Sequence, residues 1–180
     1  MLLIAGILLL SAWNSLGLYR QSQAQAYYRW GLDTPAYLDK FAADRVIIGR
    51  WLRDRLPPDT LLAVGGAGSI AYASRLPVLD AFGLNDAWIA HHAPVSGTRP
   101  GHAKAAPLEY VLQRRADLIC HIGQHQDEPY RPAADEEQSW RARGYHWICL
   151  DPSGGLRPRF YCCLKRLDRA LGPFPAELGS

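Results

Sequence analysis

The sequence predicts an α/β protein, a three-layer sandwich with a small, mostly parallel sheet and a C-terminal antiparallel hairpin, preceded by one transmembrane helix. An uncharged apolar stretch opens the chain, short apolar runs alternate with helical patterns in the middle, and two further apolar runs flank a proline- and glycine-containing turn near the end. A composition of 48% hydrophobic and 21% charged residues over 180 residues fits one well-buried domain. The formal net charge of +3 is too small to indicate nucleic-acid binding.

Residues 1–20 are predicted to form the transmembrane helix. The stretch from Met1 to Tyr19 carries no charge and begins MLLIAGILLL. At 1.5 Å per residue such a helix spans about 28 Å, close to the hydrocarbon thickness of a bilayer. Two alternatives stay open: a secretory signal peptide, for which Ala24-Gln25-Ala26 is an A-x-A cleavage pattern, and a buried helix of a soluble protein.

Residues 21–35 are polar and aromatic and are predicted to be a juxtamembrane connector, followed by the soluble α/β domain, 36–170, and an irregular tail, 171–180. The domain opens with a helical pattern from Ala36 to Leu56 that Pro57-Pro58 ends. Its apolar side chains fall near one face, and arginines occupy much of the remainder. This arginine-rich surface is either simply solvated or in contact with anionic lipid.

Leu61–Val64 is predicted to be the first parallel strand, leading into a glycine-rich turn. Gly66-x-Gly68-x-x-Ala71 formally fits the dinucleotide-binding fingerprint. However, the following helix has barely two turns before Leu76-Pro77, and the next acid at a strand end comes too early for a ribose contact. A tight strand-to-helix turn is therefore the favoured interpretation, and no cofactor is predicted.

The stretch from Pro77 to Lys104 is the predicted functional region, because it follows a strand end, where open α/β sheets bind ligands. Asp80 ends the second strand, and Asn85-Asp86 precedes a helix. In one hypothesis the two acids converge on a sugar hydroxyl, a cation or an arginine. In the other, Asp86 caps its helix and Asp80 holds the following loop through backbone amides.

A proline- and glycine-containing loop then delivers Gly101-His102-x-Lys104. With Arg99, and with Arg114-Arg115 on the next helix, these side chains could form a cationic pocket for a phosphate or diphosphate. The alternative is that they are solvated loop residues. The candidate ligand-binding residues are thus Asp80, Asn85, Asp86, Arg99, His102 and Lys104.

The second half of the chain is predicted to complete the sheet. Ala116–Ile122 is a third buried strand, and Tyr145–Leu150 with Arg159–Lys165 form the hairpin. Cys120-His121-x-x-x-His125 is not predicted to bind metal, because adjacent strand residues point to opposite faces and a fourth ligand is not evident. Cys120 is instead interpreted as a packed core residue.

The remaining cysteines leave two interpretations open. If the domain lies outside the cytoplasm, Cys149 can pair with Cys162 or Cys163 across the hairpin; otherwise these are reduced core thiols.

An ordered set of motifs from about Ala43 to Ile122 resembles a known family. Its members are Trp51-Leu52, Leu56-Pro57-Pro58-Asp59, Val64-Gly65-Gly66-Ala67-Gly68-x-Ile70-Ala71-Tyr72, Val78-Leu79-Asp80-x-x-Gly83-Leu84-Asn85-Asp86-x-x-Ile89-Ala90, Gly101-His102-x-Lys104 and Arg115-Ala116-Asp117. Together they resemble the soluble tail domain of polytopic bacterial GT-C glycosyltransferases, which use polyprenyl-phosphate sugars, and in particular the arabinofuranosyltransferase-like group.

The resemblance implies that the chain is a C-terminal piece or a truncated relative of these enzymes, with the apolar helix matching the family's final span and the domain outside the cytoplasm. The predicted location is the cell membrane, with a single pass and an extracytoplasmic domain. Charge bias alone favours the reverse orientation, since Arg20 and Arg29 follow the helix. The family's catalytic acid lies between early membrane helices that this sequence lacks, so the chain is expected not to catalyse transfer alone. The implied function is an accessory or acceptor-binding module whose partners are membrane lipid, a polyprenyl-phosphate sugar or glycan acceptor, and a membrane protein.

Two other functions remain as hypotheses. A small hydrolase or transferase would use Asp80 or Asp86 as general base beside a phosphate pocket of His102 and Lys104. A purely structural domain would dock on a membrane partner through Trp88 and His91.

Overall fold

The structure, a computed structural model, describes residues 2–24, 35–65, 68–97, 101–152 and 159–172. The chain divides into two compact units, Met1–Asp44 and Arg45–Ser180. Helix α1, Leu2–Ala24, belongs to the first, and helix α2, Pro35–Arg53, contains the division between them. The predicted connector lies mostly, and the tail almost entirely, outside the described residues.

Helix α1 contains a stretch, Leu3–Gln21, that is long and apolar enough to cross a membrane. Each side chain from residue 3 to residue 21 is exposed. The predicted apolar helix is therefore present, and it runs to Ala24, four residues beyond the predicted end.

The second unit is built on one five-stranded sheet of order β2-β1-β3-β5-β4. Strands β1, β2 and β3 pair in parallel, whereas β5 pairs antiparallel with both β3 and β4. The mostly parallel sheet and the C-terminal antiparallel hairpin are confirmed. The strands are β1 Leu62–Val64, β2 Val78–Asp80, β3 Leu118–Gln126, β4 Tyr145–Leu150 and β5 Phe160–Arg166.

Hydrophobic side chains pack on both faces of this sheet, which gives three layers. Leu62 and Val64 of β1 face a cluster that includes Leu52 of α2, while Ala63 between them faces a second cluster that includes Ile89. The other helices are α3 Ser69–Ser74, α4 Ala87–His92, α5 Leu108–Gln113 and α6 Ala134–Ala142. Because β1 is buried on both faces, it reads as a continuous apolar run.

All four cysteines form disulfides. Cys149 of β4 is bonded to Cys162 of β5, and Cys120 of β3 is bonded to Cys163. The pairing of Cys149 across the hairpin is confirmed, whereas the interpretation as reduced thiols is wrong. Cys120 is buried, as expected of a packed residue, but it is covalently bonded because β3 lies beside β5, a neighbourhood that spacing along the chain does not reveal.

The two ends of the strands form opposite rims of the sheet, which we name the carboxyl-terminal edge and the amino-terminal edge. The connections after β1 and β3 leave toward opposite faces, since Ile70 of α3 packs in one cluster and Trp140 of α6 against the other. The carboxyl ends of β1 and β3 therefore form the switch point at which open α/β sheets commonly bind ligands. The opposite, amino-terminal edge holds the starts of β1, β3 and β4 and the end of β5.

Candidate functional site

Asp80, at the carboxyl end of β2, organises the loop that follows it. Its side chain is 2% exposed. One carboxylate oxygen, Oδ1, accepts the backbone N–H of Phe82 at 3.0 Å, and Oδ2 accepts the backbone N–H of Asn85 at 2.8 Å and lies 3.4 Å from the Asn85 amide nitrogen. Both oxygens of Asp80 thus bind the loop itself, as the structural hypothesis predicted.

Asp86 is the N-cap of α4. Its Oδ1 accepts the backbone N–H of Ile89 at 3.0 Å, which satisfies a helix donor that otherwise has no partner. The Tyr110 hydroxyl donates to the same carboxylate, 3.0 Å from Oδ2. Burial and this hydrogen bond to Asp86 raise the pKa of Tyr110. Asp86 therefore connects α4 to α5.

An aromatic stack lies beside this cap. The rings of Trp88 and Tyr110 are 4.3 Å apart and nearly parallel, and His92 stacks on Trp88 at 5.3 Å. Trp88 is 42% exposed although two rings stack against it. The stack gives α4 an amphipathic surface patch, in which aromatic rings and the His92 imidazole are available to contact a partner or ligand.

His102 and Lys104 lie in the same region. The His102 ring packs on Phe82 with 4.5 Å between centroids, and the Lys104 ammonium donates to the carbonyl of Ala90 in α4. The loop that holds them is closed by a bridge between Val95 and Lys104. Arg99 lies outside the described residues. The described parts of the predicted region thus fold as loops around α4.

His121 was not predicted to have a role, yet it lies at the switch point. A Cβ placed on Gly65 would be 3.7 Å from the His121 Cβ and 3.0 Å from the Phe82 ring. The His121 Nδ1 is buried without a hydrogen-bond partner, and burial lowers the pKa of His121 to about 4. The His121 imidazole is therefore neutral near pH 7. Its Cβ and the ring of Phe82 both lie close to Gly65.

The fold does not place Arg115 in a pocket with His102 and Lys104. Arg115 precedes β3 and so lies at the amino-terminal edge, where its guanidinium is 2.6 Å from Asp168. Arg114 lies 5.9 Å from the centre of the Tyr110 ring. Two arginines adjacent in sequence are separated because the chain turns between α5 and β3.

A cationic depression of about 240 Å³ lies at this amino-terminal edge. Sequence reasoning missed it because three separate segments build it, and no local spacing unites them. One usable signal was present, since arginines stand close to two strand starts and at one strand end. Its lining consists of Leu112, Arg115, Arg143, Gly144, Tyr145, Arg166, Leu167 and Asp168.

Within the described part of the chain, no group of three or more His, Cys, Asp or Glu side chains is arranged to hold a metal ion. The side chain of His125 is outside what the structure describes, as are Gly66 and Ala67 of the glycine-rich turn. Helix α3, which follows that turn, has six residues.

Comparisons with known proteins place the chain in a family without an assigned activity. No curated protein matches it, and no solved structure matches it. A family model described as a domain of unknown function, DUF8728, matches residues 19–162, which is most of the chain and covers the sheet from β1 to the start of β5. The chain therefore belongs to the DUF8728 family of domains of unknown function.

Proposed function

We propose that this chain is a membrane-anchored, extracytoplasmic binding module of a lipid-linked sugar glycosyltransferase system. In this proposal α1 is the single span, and the loops around α4 bind a polyprenyl-phosphate sugar or a glycan acceptor. The domain binds, and the catalytic membrane core carries out the transfer. The specific choice of a sugar transferase depends on the resemblance of the motifs between Trp51 and Asp117.

The disulfides are the observation that supports the extracytoplasmic side. Structural disulfides persist in oxidising compartments and are rare in the cytosol. Both bonds here are largely shielded, since Cys162 and Cys163 have no exposed surface and Cys120 is 5% exposed. This argument favours the orientation given by the resemblance over the one given by charge bias at Arg20 and Arg29.

The loop geometry supports binding rather than hydrolysis. A general base needs a carboxylate that can reach the substrate proton. Asp80 is buried with both oxygens bound to backbone N–H groups, and Asp86 is bound to Ile89 and Tyr110. Both acids hold the loops, so ligand contact is assigned to the exposed Asn85 and Trp88 and to the half-buried His102 and Lys104. Asn85 and Lys104 also donate hydrogen bonds within the loops, to Asp80 and to the Ala90 carbonyl.

The orientation is tested by fusing alkaline phosphatase, which is active only outside the cytoplasm, to the C-terminus of the full chain in a bacterial host. A cytoplasm-active fluorescent reporter at the same position is the matched control. Phosphatase activity without fluorescence is expected. Fluorescence without phosphatase activity would reject the proposed orientation.

Ligand binding is tested with the full chain in neutral-lipid nanodiscs and a soluble, short-chain polyprenyl-phosphate sugar, measured by calorimetry. His102→Ala with Lys104→Ala should weaken binding at least about tenfold, because a charge-assisted contact and a ring contact are lost. Arg53→Ala removes one exposed cation elsewhere and should leave the affinity unchanged. Absence of binding by a folded wild-type chain would instead favour docking to a protein through Trp88 and His91.

A further inference from the structure

The depression at the amino-terminal edge is a concentration of positive charge, and its lining includes none of the residues of the loops around α4. Three of its lining side chains are arginines, which stay protonated in proteins, and one is an aspartate. The remaining lining residues are uncharged, so the depression carries an excess of positive charge.

Asp168 joins two of these arginines through different oxygens. Its Oδ2 is 2.6 Å from Nη2 of Arg115, and its Oδ1 is 2.6 Å from Nε of Arg166. These contacts lower the pKa of Asp168, with the hydrogen bond from Arg166 as the largest cause. The two guanidinium groups are thus spaced to hold one anion that offers two oxygens, as a phosphate does.

Asp168 is held weakly, whereas Arg166 is held firmly. The side chains of Asp168 and Arg115 are 58% and 65% exposed, and exposed ion pairs contribute little to stability. Arg166 is 18% exposed; it lies 3.1 Å from Oδ1 of Asp117 and also donates to the Arg115 carbonyl. Release of Asp168 would therefore leave Arg166 in position.

The backbone at the rim adopts conformations that are costly for ordinary residues. Arg115 has a φ of +52° although it is not glycine, and Gly144 has a φ of +84°. Such conformations persist where surrounding contacts impose them, and they cluster at functional sites. The left-handed turn at Arg115 follows α5 and presents its carbonyl to Arg166, so the backbone of Arg115 is fixed to the Arg166 side chain. The third arginine, Arg143, has its guanidinium 5.5 Å from the centre of the Trp140 ring.

We propose that this depression binds a phosphate or diphosphate group through Arg115, Arg143 and Arg166, and that Asp168 is an internal carboxylate which the ligand displaces. The site is separate from the loops around α4 and does not depend on their proposed function. The phosphate belongs either to a soluble metabolite or to a lipid headgroup, and the same chemistry recognises both.

Inorganic pyrophosphate is the probe, titrated into the full chain in neutral phosphatidylcholine nanodiscs. Asp168→Asn should bind it about tenfold more tightly than wild type, because a competing charge is removed. Asp151→Asn is the matched control: Asp151 also pairs with an exposed arginine, Arg159, and its loss changes the net charge equally. The control should bind like wild type. Equal or weaker binding by Asp168→Asn would overturn the proposal.

Arg143→Ala and Arg115→Ala should each weaken pyrophosphate binding at least about tenfold, whereas Arg159→Ala should not. Melting temperatures of all variants, measured in parallel, separate lost binding from lost folding; Arg143 has the smaller structural role and keeps the test valid if Arg115→Ala unfolds. Unchanged affinity in Arg143→Ala, or no binding by wild type and Asp168→Asn at about 10 mM, would overturn the proposal.

A second set of nanodiscs that also contains a polyprenyl phosphate distinguishes the two sources of the phosphate. Weaker pyrophosphate binding in these nanodiscs than in the neutral ones would support a lipid headgroup as the occupant. The control variants Asp151→Asn and Arg159→Ala should show the same weakening. Equal affinity in both sets of nanodiscs would support a soluble ligand. Neither outcome involves His102 or Lys104. A failure of the phosphate site would therefore leave the proposed function intact, and a failure of the proposed function would leave the phosphate site intact.

Discussion

Cys149 lies directly opposite Cys162 in the antiparallel pair of β4 and β5, and the two side chains form a disulfide. Cys163, the next residue of β5, is bonded instead to Cys120 of β3. Because neighbouring side chains of a strand point to opposite faces, each face of the sheet carries one of these bonds. Strand β5 is therefore covalently fastened to both of its neighbours.

Replacing Cys149 and Cys162 together by alanine should lower the free energy of unfolding by about 2–4 kcal/mol, because the unfolded chain regains freedom over the 13-residue separation of this pair. Urea denaturation of the full chain in detergent, followed by circular dichroism, measures it. The matched Cys120→Ala with Cys163→Ala variant, which opens a separation of 43 residues, should lose at least as much. An unchanged urea midpoint in both variants would contradict this account.

Asp80→Asn should lower the free energy of unfolding by about 2–3 kcal/mol, since hydrogen bonds to a charged acceptor are lost. An asparagine cannot accept at both oxygens, so its NH₂ group would face one of the backbone N–H groups of Phe82 and Asn85. Thermal and urea unfolding measure the change. Asp54→Asn removes a carboxylate that is 55% exposed and should cost under about 0.5 kcal/mol. Equal losses in the two variants would contradict a special role for Asp80.

The sheet was predictable because its signals are local. The apolar runs at Leu61–Val64 and Tyr145–Leu150 each lie within one residue of the observed strands, and the cap at Asp86 follows from its position before an apolar helix. Strand β3 was harder. It runs to Gln126, four residues past the predicted end, because its second half pairs with β5 and keeps a strand conformation in a polar segment.

The candidate sites, too, were predictable only where the contacts are local in the sequence. The structural hypothesis for Asp80 could be stated from sequence, since its partners lie within five residues. The depression could not, because Arg115 and Arg166 are 51 residues apart and meet only through strand order. The pairing of Cys120 with Cys163 was not predicted either, because the two cysteines meet only where β3 lies beside β5. The spacing of residues along the chain therefore predicts contacts within a loop but does not predict contacts between strand ends.

Gly83→Ala should destabilise the fold by more than Gly144→Ala. Both glycines have positive φ, +76° and +84°, which costs an alanine about 1–2 kcal/mol. At Gly83 the new Cβ would also lie 2.7 Å from the Ile89 Cγ2 and 3.0 Å from the Ala90 nitrogen, whereas at Gly144 nothing lies within 4 Å. The difference in unfolding free energy between the variants therefore measures the close approach of the loop to α4. Equal losses would mean that this contact relaxes without cost.

His121 should make stability depend on pH between about 6.5 and 4. Burial lowers its pKa to about 4 in the folded chain, against about 6.5 when unfolded, so in this range the unfolded state binds the extra proton. Stability should therefore fall as the pH is lowered through this window, by up to about 3 kcal/mol, and be fully present above pH 6.5 or so. Unfolding free energies of wild type and His121→Gln, measured from pH 7.5 to 4 in the same detergent, isolate this contribution from the carboxylates, which titrate in both chains. The two curves should converge or cross as the pH falls, because the variant lacks the buried imidazole. Parallel curves would show that His121 takes up its proton equally in both states, and so that it is solvated in the folded protein.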